Sequence, residues 1–239
     1  DGINRGFLHK EGLNEDIHEL NRNEECAAGG LYFCRFKNIS EWMFMYRDGL
    51  IWKAEIPEGE EVIEYQTKLK AKRIILSEPK KIFEDYELCK LAVQKDSMYL
   101  EIVEEQTEEL CKLAVQQDGL TLQFVISQTE KICNLAVQQN GWALQFVKEQ
   151  TEEICKLAVQ ENGWALEFVR EQTEEICKLA VQQNGRALQF VKEQTEELCK
   201  LAIQQNGKAL KYVKEQTEEL CKLAIQQNGR ALQFCKIRI

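Results

Sequence analysis

The stretch "TEEICKLAVQENGWALEFVREQ" occupies residues 151–172, and "TEEICKLAVQQNGRALQFVKEQ" follows at once from Thr173. The same 22-residue unit extends in both directions, as 85–106, 107–128, 129–150, 151–172, 173–194, 195–216 and a shortened copy from Thr217. Thr107, Thr129, Thr151, Thr173, Thr195 and Thr217 stand where a helix N-cap is expected, with Asp85 in that place in the first copy. The glutamates behind them, such as Glu152 and Glu153, suit the positive end of a helix dipole and read as first-turn charges rather than paired acids. A first helix of about ten residues is predicted through "EEICKLAVQE", with Ile154, Leu157 and Ala158 on one apolar strip and Cys155 and Val159 beside it.

An Asn-Gly or Asp-Gly step follows in six copies, so Gly119, Gly141, Gly163, Gly185, Gly207 and Gly229 are expected to end that helix in a left-handed conformation. A second short helix over "WALEFVREQ" would present Ala165, Leu166, Phe168 and Val169. Isolated helices shorter than about 12–15 residues are marginal in water. These two must therefore bury their apolar faces against neighbouring copies, which is the logic of an αα-solenoid. The period is short compared with tetratricopeptide or armadillo units, and neither assignment is made.

Residues 1–84 differ in kind. "GGLYFC" (29–34), "LIWKAEIP" (50–57) and "AKRIIL" (71–76) read as strands, and "ISEWMFMY" (39–46) has the apolar spacing of a short helix. Asp48-Gly49 and Pro57 with Gly59 mark turns. The predicted fold is thus a small α+β N-terminal capping module, residues 1–84, followed by an all-α solenoid of seven two-helix repeats, residues 85–239. The protein is mainly α.

Forty acidic against 31 basic side chains leave a net charge of −9, which disfavours nucleic-acid backbones and anionic membranes as partners. No apolar run approaches the roughly 18 residues of a membrane span, and no leader opens the chain. The expectation is an intracellular protein that neither enters membranes nor is secreted.

Of ten cysteines, Cys89, Cys111, Cys133, Cys155, Cys177, Cys199 and Cys221 form a ladder at 22-residue intervals. Equivalent positions in stacked repeats lie on the order of 10 Å apart, wider than the roughly 4.4–6.8 Å between disulfide-linked Cα atoms. Buried, reduced thiols follow. Cys26 and Cys34 read as ordinary thiols rather than a reactive pair, since His9 and His18 are the only histidines and no ligand spacing links them. No metal or cofactor is expected. There is no phosphate-binding glycine loop, H-E-x-x-H, G-x-S-x-G or C-x-x-C.

In a solenoid the constant positions specify the stack, so function is sought where copies differ. The residue after each glycine differs: Leu120, Trp142, Trp164, Arg186, Lys208 and Arg230. Two readings stand. In the first, Trp142, Trp164, Arg186, Lys208 and Arg230 form a protein-binding row, since exposed Trp and Arg anchor interfaces. In the second, the tryptophans pack on the next turn and the cations are solvated. A single-stranded RNA site on the same aromatic and basic row is a further alternative. Gln94, Gln116, Gln138, Gln160, Gln182, Gln204 and Gln226 read as a solvated helix edge rather than a hydrogen-bonded ladder. The last copy, ending "ALQFCKIRI", has no polar capping repeat, and pairing of its apolar end with a second chain is expected.

Taken together, "GLNED" (12–16), "CAAGGLYF" (26–33), "NISEWMFMY" (38–46), "IWKAEIPEGEEVI" (51–63) and "LKAKRIILSE" (69–78) resemble a module that precedes repeats in proteins of mimivirus-type giant DNA viruses of amoebae. "LCKLAVQQNGRALQFV" is similar to a short helical repeat abundant in the same viruses. The resemblance implies a non-catalytic repeat scaffold or adaptor that meets viral or host proteins in the host cytoplasm or the virion. "AGGLYFCRFKNISEWMFMY" also resembles, loosely, the Gly-x-Tyr-Phe strand and helix of the ADP-ribosyltransferase fold, which would place Tyr32 against a nicotinamide. The His-Gly signature of that fold is missing, His9 being followed by Lys10, and no catalytic glutamate stands out. The expectation is no enzyme activity.

Overall fold

The computed structural model describes residues 3–4, 7–8, 12–15, 31–34, 50–66 and 68–237. The chain forms two compact units, residues 1–105 and 106–239, so the first helical copy belongs with the strands of the first unit. The expected helix at 39–46, the Asp48-Gly49 turn, His9, His18 and Cys26 lie outside the described residues.

In the first unit, β1 (Ile3–Asn4) and β2 (Phe7–Leu8) pair as a two-stranded ribbon. Two antiparallel three-stranded sheets follow. One orders β3 (Gly12–Glu15), β8 (Arg73–Lys81) and β5 (Leu50–Glu55), and the other β4 (Leu31–Phe33), β7 (Leu69–Ala71) and β6 (Val62–Glu64). The run expected as one strand at 71–76 is in fact divided between β7 and β8, one in each sheet. Pro57 and Gly59 make the expected turn after β5, closed by the Glu60 N–H donating to the Pro57 carbonyl, with Gly59 at φ +79°. Between β5 and β8 the register slips where Ile51 pairs with Lys80 but Lys53 with Ser77. Glu78, at φ 52°, absorbs the extra residue of that bulge. Ala71, Ile74 and Leu76 form a small core with Phe33, Trp52 and Ala54 packed against it. The unit closes with α1 (Tyr86–Lys95), capped by Asp85, and a 3₁₀ helix at Ser97–Ile102.

The second unit contains six α-helices of ten residues: α2 (Glu108–Gln117), α3 (Glu130–Gln139), α4 (Glu152–Glu161), α5 (Glu174–Gln183), α6 (Glu196–Gln205) and α7 (Glu218–Gln227). Each starts as predicted. Thr151 Oγ1, for example, accepts the Ile154 N–H at 3.3 Å, occupying one of the donors a helix leaves unpaired. Ile154, Cys155, Ala158 and Val159 are buried, while Leu157 is half-buried at the margin of the strip.

Two expectations are corrected after the helix ends. The second element of each repeat, expected as a short helix over 164–172, is a 3₁₀ helix of six residues, Gly163–Phe168 in the fourth copy. The glycine that opens it is not left-handed. Among the described residues Gly59 is the only glycine with positive φ. The physical reason for both is Asn162, which is extended (φ −147°, ψ 107°) and serves two helices at once. Its N–H donates to the Ala158 carbonyl and ends α4, while its carbonyl accepts from Ala165 and its Oδ1 from the Trp164 N–H. With i and i+3 eclipsed in a 3₁₀ helix, Gly163, Leu166 and Val169 share one side, and all three are buried.

Glycine is required there because the next repeat is too close for a side chain. A Cβ on Gly163 would lie 2.6 Å from the Ala180 carbonyl oxygen and 2.8 Å from Gln183 Oε1. Gly163→Ala is therefore expected to destabilise the chain by about 1–3 kcal/mol through overpacking. Gly229→Ala, whose Cβ would meet nothing within 4 Å, should leave the urea midpoint in place; equal shifts for the two variants would refute the assignment.

Within this unit consecutive α-helices pack on one another, each 3₁₀ helix packs on the next, and each helix from α3 to α7 also touches the 3₁₀ segment before it. The shared core is continuous: Leu122, Leu144, Leu166, Leu188 and Leu210 are all 0% exposed. Phe168, expected in that core, is only half-buried, because it sits on the outer side of the 3₁₀ turn.

Candidate binding face

The row at the second position of each 3₁₀ helix divides into two parts. Trp142 and Trp164 are half-buried and lie edge-on against Phe168 and Phe190 of the following repeat, with ring centroids 5.5 and 5.6 Å apart. Both tryptophans therefore help join neighbouring repeats, as the packing reading expects, while one side of each stays open to solvent. Arg186 and Arg230 are exposed and Lys208 is half-buried. Their backbone N–H groups are held by Asn184, Asn206 and Asn228, leaving the side chains free to project. Phe124, Phe146, Phe168, Phe190, Tyr212 and Phe234 form a second, half-buried aromatic column four positions further along each repeat.

The seven ladder cysteines are buried and free, at no more than 4% exposure. Burial pushes each thiol above its ordinary range, so these groups stay protonated at neutral pH. Cys34 is half-buried, with its thiol also pushed up by burial. Tyr32 lies in β4, in register with Lys70 of β7. Among the described residues no three His, Cys, Asp or Glu side chains converge where a metal ion could be held.

The glutamines at 94, 116, 138, 160, 182, 204 and 226 are exposed, in keeping with a solvated edge. A hydrogen-bonded glutamine ladder does exist, but on a different column that sequence reasoning passed over: Gln106, Gln128, Gln150, Gln172, Gln194 and Gln216. Gln150 Nε2 donates to the Phe168 carbonyl of the next repeat at 3.0 Å, and its Oε1 accepts the Arg170 N–H at 3.0 Å. The Cys155 thiol approaches that same Oε1 at 3.7 Å. The pattern recurs at all six positions, with amide-to-carbonyl distances of 2.9–3.0 Å. Each glutamine thus satisfies the carbonyl and N–H that the end of the next 3₁₀ helix leaves open. A polar residue immediately before every capping threonine was the available signal.

Cations form another column. Lys148, Arg170, Lys192 and Lys214 each reach back one repeat to a backbone carbonyl, at Ile126, Lys148, Arg170 and Lys192 respectively, over 2.6–2.8 Å. Lys156 bridges Glu152 of its own helix and Glu175 of the next, and Lys200 does the same with Glu196 and Glu219. Such exposed pairs contribute little individually. They do give Lys156 and Lys200 partners within the stack. Arg186, Lys208 and Arg230, by contrast, enter no ion pair among the described residues.

No helix among the described residues is long and apolar enough to cross a membrane. No curated protein and no solved structure matches the chain. A family described as a domain of unknown function, DUF4116, matches residues 129–172, 151–195, 173–217 and 195–239, each match spanning two successive repeats. The chain is thus a helical-repeat protein whose residues 129–239 are similar to the DUF4116 repeats.

Proposed function

We propose that the protein is a non-catalytic scaffold that binds viral or host proteins through the open side of its repeats, along the row Trp142, Trp164, Arg186, Lys208 and Arg230. The observation that carries this reading is the division of labour among repeated positions. The leucine, cysteine and glutamine columns do not vary, the glycine column varies only at Ser97 of the first copy, and these positions are engaged in packing or hydrogen bonds between repeats. The row after the glycine varies, and its basic members have no partner in the fold that would account for them.

Arg186→Glu, Lys208→Glu and Arg230→Glu combined make the better test, because the tryptophans also support the stack. The triple variant should keep the helical spectrum and unfolding midpoint of the parent. In affinity capture from infected amoebae, the setting to which the sequence resemblance points, it should lose specific proteins that the parent retains. Removing interface anchors of this type weakens binding by about 2 kcal/mol or more each. An identical captured set from parent and triple variant would sink the proposal.

A further inference from the structure

The last repeat differs from the others at one buried position. In the six preceding copies the residue that closes the 3₁₀ segment is a valine, from Val103 to Val213 at 22-residue intervals, and each is at most 2% exposed. In the last copy that residue is Cys235, half-buried and free. The ladder thiol of the same repeat, Cys221, is 0% exposed.

One side chain brings the two cysteines together. Gln216 Nε2 donates to the Phe234 carbonyl at 3.0 Å, and Gln216 Oε1 accepts the Lys236 N–H at 2.8 Å. The amide is therefore tied to the residues on both sides of Cys235. That same Oε1 receives the Cys221 thiol at 3.6 Å. The Cys235 thiol turns back over its own 3₁₀ segment toward the Ala231 carbonyl, 3.9 Å away, and the Gln216 amide that receives the Cys221 thiol is the one that holds the backbone on either side of residue 235. In every earlier repeat the ladder cysteine has a valine at this place, and no such pair can form.

We propose that Cys221 and Cys235 are an oxidant-sensitive dithiol that closes to an intramolecular disulfide, linking α7 to the 3₁₀ segment Gly229–Phe234. Cys235 is the more accessible sulfur and reacts first. With hydrogen peroxide as the oxidant, its sulfur takes one oxygen, the O–O bond breaks, and a sulfenic acid and one water result. The Cys221 sulfur then attacks the Cys235 sulfur. The S–S bond forms as the S–O bond breaks, and the departing hydroxide takes the Cys221 proton as a second water. Two thiols are oxidised by two electrons in total, and one peroxide is reduced. A small thiol reductant reverses the step by exchange.

Burial and the neighbouring thiol push Cys221 up to about 11, which explains why it stays inert toward solvent reagents and reacts only with an electrophilic sulfur held beside it. Around the cross-link Leu232 is 59% exposed, and a Cβ on Gly229 would meet nothing within 4 Å.

The full chain treated with one equivalent of peroxide, then unfolded, alkylated with iodoacetamide and digested, should yield one linked peptide pair containing Cys221 and Cys235. Dithiothreitol should return both to alkylatable thiols. Cys235→Val should fold like the parent, since valine fills this position in six repeats, and should give no linked pair. Cys235 accumulating as sulfinic acid with Cys221 still alkylated, Cys235 joined to Cys235 of a second chain, or no reaction at either sulfur would each overturn the proposal.

Discussion

Leu166→Ala should lower the unfolding free energy by about 2–5 kcal/mol, the range for opening a cavity where a leucine was fully buried. Leu166 is 0% exposed, enclosed by the 3₁₀ helix to which it belongs and by the helices on either side. The informative comparison is Leu232→Ala. Leu232 holds the same place in the "ALQF" of the last copy, yet it is 59% exposed. Substitutions at such a surface site usually stay within about 0.5 kcal/mol. Urea unfolding of the two variants should therefore separate them clearly. Similar losses from both would mean that the last repeat is covered in solution, and similar small losses would mean that the leucine column is not the core.

Gln172→Leu should destabilise by about 1–3 kcal/mol for each group left unpaired. The substitution preserves the size of the side chain but removes the bonds to the Phe190 carbonyl and the Lys192 N–H, both at 2.9 Å. It also strands the Cys177 thiol, which lies 3.7 Å from Gln172 Oε1. Gln182→Leu is the matched control. Gln182 is exposed and belongs to the column that reads as a solvated edge. Its replacement should be nearly neutral in the same denaturation experiment. If the two glutamines proved equivalent, the ladder between repeats would not be holding the stack.

Much of the repeat unit was legible in the sequence because its signals are local. Thr151 caps α4 through an atom three residues from the N–H it accepts, and the apolar phase of Ile154, Cys155, Ala158 and Val159 is set within one helix. The reading failed where a residue answers to the next repeat. Gly163 was taken for a left-handed helix stop, a property of its own backbone, when the actual constraint is the Ala180 carbonyl 17 positions further on. The column from Gln106 to Gln216 was passed over for a similar reason: only the stacking brings it against carbonyls 18 residues ahead. The row after each glycine falls at the second position of the 3₁₀ helix. Its split into packed tryptophans and free cations depends on Phe168 and Phe190, contacts between copies that no single repeat contains.

The sequence by itself determined the period, the start of each helix, the buried thiols and the position at which copies diverge, because capping and helical phase act within a few residues. The tertiary structure alone decided that the second helix is 3₁₀, that glycine is needed for closeness rather than for φ, and that one Gln216 amide holds both the Cys221 thiol and the backbone flanking Cys235. Each of these depends on atoms distant along the chain, and their distances are set only when one repeat is laid against the next.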